Sequence, residues 1–105
     1  MDTTFSQRVL EAALSIPSGR VATYGDIARV SGGSGQAARS VSGILARAHK
    51  NGHTNIPWHR IVYSGGRIWT SEHHDNARRK LYEQEGIHVD AQGYIKNFST
   101  IRYSF

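Results

Sequence analysis

The sequence predicts a single, mainly α-helical domain with a small β-hairpin, arranged as a winged helix-turn-helix. Three observations predict it. Two helix-like stretches, the second rich in Ala and Arg, flank the glycine-rich segment Gly32-Gly33-Ser34-Gly35. A short β-prone run, Arg60-Ile61-Val62-Tyr63, is followed by the turn residues Ser64-Gly65-Gly66 and by Arg67-Ile68-Trp69. A length of 105 residues, 38% hydrophobic and 20% charged, suits one domain around one modest core.

Each element has its own signal. Phe5, Val9, Ala12, Ala13 and Ile16 recur at helical spacing, so residues 4–15 read as an amphipathic helix. Thr3 or Thr4 is positioned to cap it, and Pro17-Ser18-Gly19 stops it. Val21-Ala22 reads as a short extended piece, and Thr23 as the N-cap of a helix over Tyr24–Val30. Gln36 to His49 forms the second helix of the pair, with Val41, Ile44 and Leu45 as its buried positions. Lys50 to Asn55 is polar loop, and Pro57 holds Ile56 extended. Asp75 to Glu85 is a charged helix whose apolar side is Ala77, Leu81 and Tyr82, closed by Gly86. The domain core spans about residues 5–90. The tail, 91–105, carries Tyr94, Phe98, Tyr103 and Phe105, which are expected to dock on the core.

Charge and composition narrow the function. Thirteen Lys and Arg against eight Asp and Glu give +5, and the isoelectric point is about 10.0. A small basic domain points to a polyanionic partner, nucleic acid first, although a charge of this size also serves solubility. The chain contains no cysteine, which excludes disulfides, thiolate catalysis and cysteine zinc sites together. His49, His53, His73, His74 and His88 lack metal-site spacing, so neither a metal nor a cofactor is expected. No apolar run reaches the roughly 20 residues of a membrane span. No basic n-region precedes an apolar core at the N-terminus. A cytoplasmic monomer, nucleoid-associated in a bacterium, is the expectation.

Several segments together resemble one family. Val21-Ala22-Thr23-Tyr24-Gly25-Asp26-Ile27-Ala28 is similar to the tyrosine-bearing motif of the O6-alkylguanine-DNA alkyltransferases. Ala37-Ala38-Arg39-Ser40-Val41 resembles the start of their recognition helix, and Lys80-Leu81 with Glu85-Gly86 the helix that closes their C-terminal DNA-binding domain. Ile56-Pro57-Trp58-His59-Arg60-Ile61-Val62 resembles their active-site motif, which reads Pro-Cys-His-Arg in the enzymes. Trp58 stands where the acceptor cysteine would be. An indole is not a usable nucleophile for alkyl transfer, and no other cysteine replaces it. The pattern is that of the alkyltransferase-like proteins, which bind O6-alkylguanine in double-stranded DNA and pass the lesion to nucleotide excision repair proteins.

That resemblance implies roles for particular residues. Reading a base inside a duplex requires flipping it out of the stack. Arg39, set among the small residues Ala37, Ala38 and Ser40, is expected to fill the space the base leaves. Tyr24 is expected to act on the lesion's 3′ phosphate. Trp58, with Pro57, His59, Trp69 and Ser71, is expected to form the lesion pocket, Trp69-Thr70-Ser71-Glu72 departing from the enzymes' glycine-rich stretch. His59 and Glu85 match the enzymes' thiolate-activating relay, with no thiolate left to activate. Arg60 reads as a structural arginine, and Arg47, Lys50, Arg67, Arg78 and Arg79 as backbone-phosphate contacts. Two other classes compete. A sequence-specific transcription regulator has the same outline, but Ala37, Ala38, Ser40 and Gly43 offer few base-reading side chains. An enzyme with another nucleophile, or a glycosylase, is the remaining alternative.

Overall fold

The first helix forms because the chain satisfies its own first turn. Thr4 Oγ1 accepts from the Gln7 N–H at 3.1 Å, and the Gln7 side chain accepts from the Thr4 N–H at 3.0 Å. The structure, a computed structural model, describes residues 4–34, 37–68 and 75–105. α1 runs Phe5–Ser15 and buries Val9 and Ala13, with Ile16 buried just beyond it. β1 is Ala22–Thr23, α2 Tyr24–Val30, α3 Ala38–Lys50, β2 Ile61–Val62, α4 Asp75–Glu85 and α5 Phe98–Ile101.

α2 is set by a second reciprocal cap. Thr23 Oγ1 accepts from the Asp26 N–H at 2.9 Å, while the Thr23 N–H donates to the Asp26 carboxylate at 3.1 Å. This starts the helix at Tyr24 and leaves the phenol half-buried at its edge. The turn to α3 needs close approach. Gly33 donates its N–H to Ala28 O at 2.8 Å. A Cβ there would lie 2.7 Å from Ala37 Cβ and 2.9 Å from the Phe5 ring. Gly35 and Gln36, where the second helix was expected to begin, lie outside the described residues.

β1 and β2 pair in parallel, Ala22 with Ile61 and Thr23 with Val62. Neighbouring residues in a strand face opposite ways, and here that divides the interior. Ala22 and Ile61 join Val9, Ala13, Ile27, Val41, Leu45 and Ile56 under the three N-terminal helices. Val21 and Val62 point into a second cluster with Tyr82, Ile87 and Ile95. On α3, Val41 and Leu45 are buried as the spacing predicts, while Ile44 is half-buried.

The expected hairpin is present only as its turn. Gly66 donates to Tyr63 O at 3.0 Å and Tyr63 to Arg67 O at 2.8 Å. Ile61-Val62, however, takes β1 as its ladder partner, and the outgoing segment pairs with the tail: Arg67 bridges Tyr94, and Ile68 donates to Gly93 O at 2.9 Å. Gly66 has φ +89°, and a Cβ on it would lie 2.8 Å from Phe98 Cγ, so the turn fits the tail closely. The tail also adds a parallel bridge just ahead of β1, between Arg102 and Val21. Val21 donates to Ile101 O at 3.1 Å, and Tyr103 donates to Val21 O at 2.7 Å. Phe98 and Tyr103 dock on the core as expected, whereas Tyr94 and Phe105 remain exposed.

α4 ends as its sequence suggests. Gly86 takes φ +72°, its N–H donates to Glu83 O at 3.2 Å, and that of Ile87 donates to Tyr82 O at 2.9 Å. Its buried side differs from the expectation. Tyr82 is buried, but Ala77 and Leu81 are exposed and face a cleft. No described helix is long and apolar enough to cross a membrane.

Candidate nucleic-acid interface

Pro57 leads from the buried Ile56 into a single 3-10 turn, Trp58–Arg60, directly ahead of β2. Glu85 fastens that turn. Its carboxylate receives Arg60 Nε at 3.0 Å and Arg60 Nη2 at 2.9 Å, His59 Nε2 through a short hydrogen bond, and the Gly19 N–H at 2.8 Å. Arg60 Nη1 continues to Ile16 O at 3.0 Å. Burial works to raise the Glu85 pKa, but the hydrogen bonds from Arg60, Gly19 and His59 outweigh it and hold the carboxyl at about 2. An ionised carboxylate only accepts, so His59 presents its Nε2–H to Glu85. The relay pair is therefore in contact, but it serves as a clasp joining α4, the Trp58 turn and the end of α1. Arg60 belongs to the same clasp, in agreement with its structural reading.

Trp58 is half-buried, its inner part packed on the main core. Its outer part lines an open cleft of about 800 Å³ between α3 and α4. Tyr24 and Tyr63 form one end, with ring centroids 5.5 Å apart. Ser42, Gly43, Ala46 and His49 supply the α3 wall, and Ala77, Arg78 and Leu81 the α4 wall. This explains why two apolar residues of α4 stay out of the core. Gly43 has nothing within 4 Å of where its Cβ would be, so that wall is open.

A second hollow adjoins the first and shares Tyr24, Ser42 and Tyr63 with it. Arg39, exposed on the first turn of α3, lines it together with Ala38, Arg29 and Arg102. Burial, followed by the neighbouring Tyr63, raises the Tyr24 pKa, so its hydroxyl stays neutral beside an anion. Tyr24, Arg39 and Trp58 thus lie along one continuous concave face. Ser40 is exposed but lines neither hollow, and Ala37 is half-buried against the core, so it positions α3. Pro57 is buried behind the turn, and His59 reaches the cleft edge. Trp69 and Ser71 lie outside the described residues.

Sequence reasoning missed Tyr63, Ser42, His49, Leu81 and Arg102 as members of this face. Leu81 had the one available signal, an apolar residue on a strongly charged helix, and that signal was assigned to the core. No group of three or more metal-ligating side chains occurs among the described residues.

Residues 4–87 match the model of the 6-O-methylguanine DNA methyltransferase, DNA binding domain. The chain belongs to this family. Within it the chain is of the alkyltransferase-like type, its sequence containing no cysteine. It is 38% identical over 92 residues to the DNA base-flipping protein of Escherichia coli K12, covering 88% of this chain and 69% of that one. It is 36% identical over 87 residues to alkyltransferase-like protein 1 of Schizosaccharomyces pombe, covering 81% and 78%. The structure of S. pombe Atl1 in complex with damaged DNA containing O6-carboxymethylguanine superposes with a TM-score of 0.74 at 31% identity, covering all of both chains. The Mycobacterium tuberculosis O6-methylguanine methyltransferase matches at TM-score 0.57 and 36% identity, and this chain spans 50% of it. The fold is that of the alkyltransferase DNA-binding domain, with a helix-turn-helix formed by α2 and α3.

Proposed function

We propose that this alkyltransferase-like domain recognises O6-alkylguanine in duplex DNA without repairing it. α3 enters the minor groove, Arg39 takes the place of the damaged base in the stack, and the base rotates past Tyr24 into the cleft beside Trp58. The observation that carries this reading is the continuity of the face. An exposed arginine, a tyrosine and an aromatic-walled cleft stand side by side, in a chain that has no cysteine. The relatives' names and the bound lesion in the S. pombe complex support it.

The same geometry accounts for the absence of transfer. Glu85 engages both His59 and Arg60, and no thiol is present for His59 to deprotonate. Trp58 offers an apolar face and one N–H donor to the adduct, enough to discriminate but not to react. The bound lesion is then passed to nucleotide excision repair proteins. Gel-shift titration with matched O6-methylguanine and guanine duplexes tests the reading. The expected preference is about 1–3 kcal/mol for the lesion, and equal affinity refutes it. Mass spectrometry of the bound DNA should show the alkyl group still in place.

A further inference from the structure

We propose that Arg102 of the C-terminal tail is a ligand of the backbone phosphate belonging to the nucleotide whose base enters the Trp58 cleft, held in the hollow that Arg102 lines with Tyr24 and Arg39. The inference rests on the base-flipping reading for which phosphate is held.

Three guanidiniums, Arg29, Arg39 and Arg102, line the hollow, and no carboxylate lines it among the described residues. Arg29 Nη2 and Arg102 Nε both reach the Asp26 carboxylate just outside, at 2.7 and 2.8 Å. Asp26 neutralises one of the three charges and fixes two of the groups in place. It engages only part of the five N–H donors each guanidinium carries. Burial acts to raise the Asp26 pKa, but the bonds from Arg102, Thr23 and Arg29 prevail and hold it at about 2, so this anchor persists at neutral pH.

Arg102 is held from behind as well. It lies between Ile101 and Tyr103, whose backbones bond to Val21 just ahead of β1, and its guanidinium sits 5.4 Å from the Phe98 ring centroid. A cation anchored by backbone pairing loses little freedom on binding, which favours a phosphate contact. The hollow and the cleft share Tyr24, Ser42 and Tyr63 as a common wall. A nucleotide with its base against Trp58 therefore has its phosphate beside Arg39 and Arg102. Arg102 lies beyond the matched span 4–87, so the tail contributes a DNA contact from outside the matched domain.

A linkage-by-linkage scan tests this. O6-methylguanine duplexes carrying a single uncharged methylphosphonate at each position flanking the lesion are titrated with wild type and Arg102→Ala. Wild type should lose roughly tenfold at one linkage. Arg102→Ala should lose roughly tenfold on the all-phosphate duplex and almost nothing further at that linkage, and its log–log salt slope should fall by about 0.9. Arg102→Lys, which keeps the charge, should recover part of the affinity. Lys96→Ala, a tail residue lining a different hollow, should keep the wild-type linkage profile. Equal further loss at every linkage in Arg102→Ala overturns the proposal. So does an unchanged salt slope with a lowered Tm, which marks Arg102 as a strut between the tail and Asp26. Failure of lesion recognition itself reads out separately, as equal wild-type affinity for lesion and guanine duplexes.

Discussion

Glu85 shows how one carboxylate ties its neighbours together. It holds His59, Arg60 and the Gly19 N–H at once, and its measurable effect is on stability. Glu85 sits at about 2, below the ordinary carboxylate value of 4.5. The unfolded chain therefore binds a proton more readily than the fold does. The stability this contributes is complete above about pH 5 and is lost as pH falls from 4.5 towards 2. Glu85→Gln should cost roughly 2–3 kcal/mol at pH 7 and should flatten that acid limb in urea denaturation between pH 6 and pH 2. Trp58 divides its surface between core and cleft, so Trp58→Ala should change the ranking of O6-alkyl adducts more than the affinity for undamaged duplex. Equal losses on both would make the residue a packing element alone. Arg39→Ala, at an exposed position touching no core cluster, should leave the Tm within about 0.5 kcal/mol equivalent of wild type. It should bring the lesion-to-guanine affinity ratio down by roughly tenfold, about 1.4 kcal/mol.

At the level of elements, the helix-turn-helix depends on a glycine as well as on the core that Ile27 and Ala28 of α2 share with Val41 and Leu45 of α3. Gly33 lets the turn pass under Phe5 and Ala37, and its N–H ties back to α2 at Ala28. Gly33→Ala should destabilise the fold by about 1–3 kcal/mol and weaken lesion and undamaged binding together, because α3 itself is displaced. Thermal unfolding beside a gel-shift series checks it. The four longer helices were legible because their caps and periods are local: Thr4 with Gln7, Thr23 with Asp26, and Gly86 at positive φ act within a few residues of themselves, whereas the short α5 was not expected. The hairpin was legible only in its turn. Ser64-Gly65-Gly66 specifies a reversal, but the ladder partners of Ile61-Val62 and Arg67-Ile68 lie 39 residues before (Ala22 to Ile61) and 27 residues after (Arg67 to Tyr94). Spacing within one segment carries no information about either.

For the whole molecule, a net charge of +5 becomes functional through its distribution. Arg29, Arg39 and Arg102 converge from α2, α3 and the tail on one hollow, while Arg60 is spent inside on Glu85. The sequence alone determined the family, the helix-turn-helix and the absence of a thiol. Each of these is a residue identity in a local motif, and local geometry follows from nearby chain. The tertiary structure alone decided that Leu81 and Ala77 wall a cleft instead of filling the core. It decided that His59 and Glu85 form a clasp, and that a tail arginine stands beside the recognition helix. Those are contacts across 26 residues between His59 and Glu85 and 76 between Asp26 and Arg102. They join segments far apart in the chain, and only the assembled backbone fixes which segments meet, as in the parallel pairing of Ala22-Thr23 with Ile61-Val62.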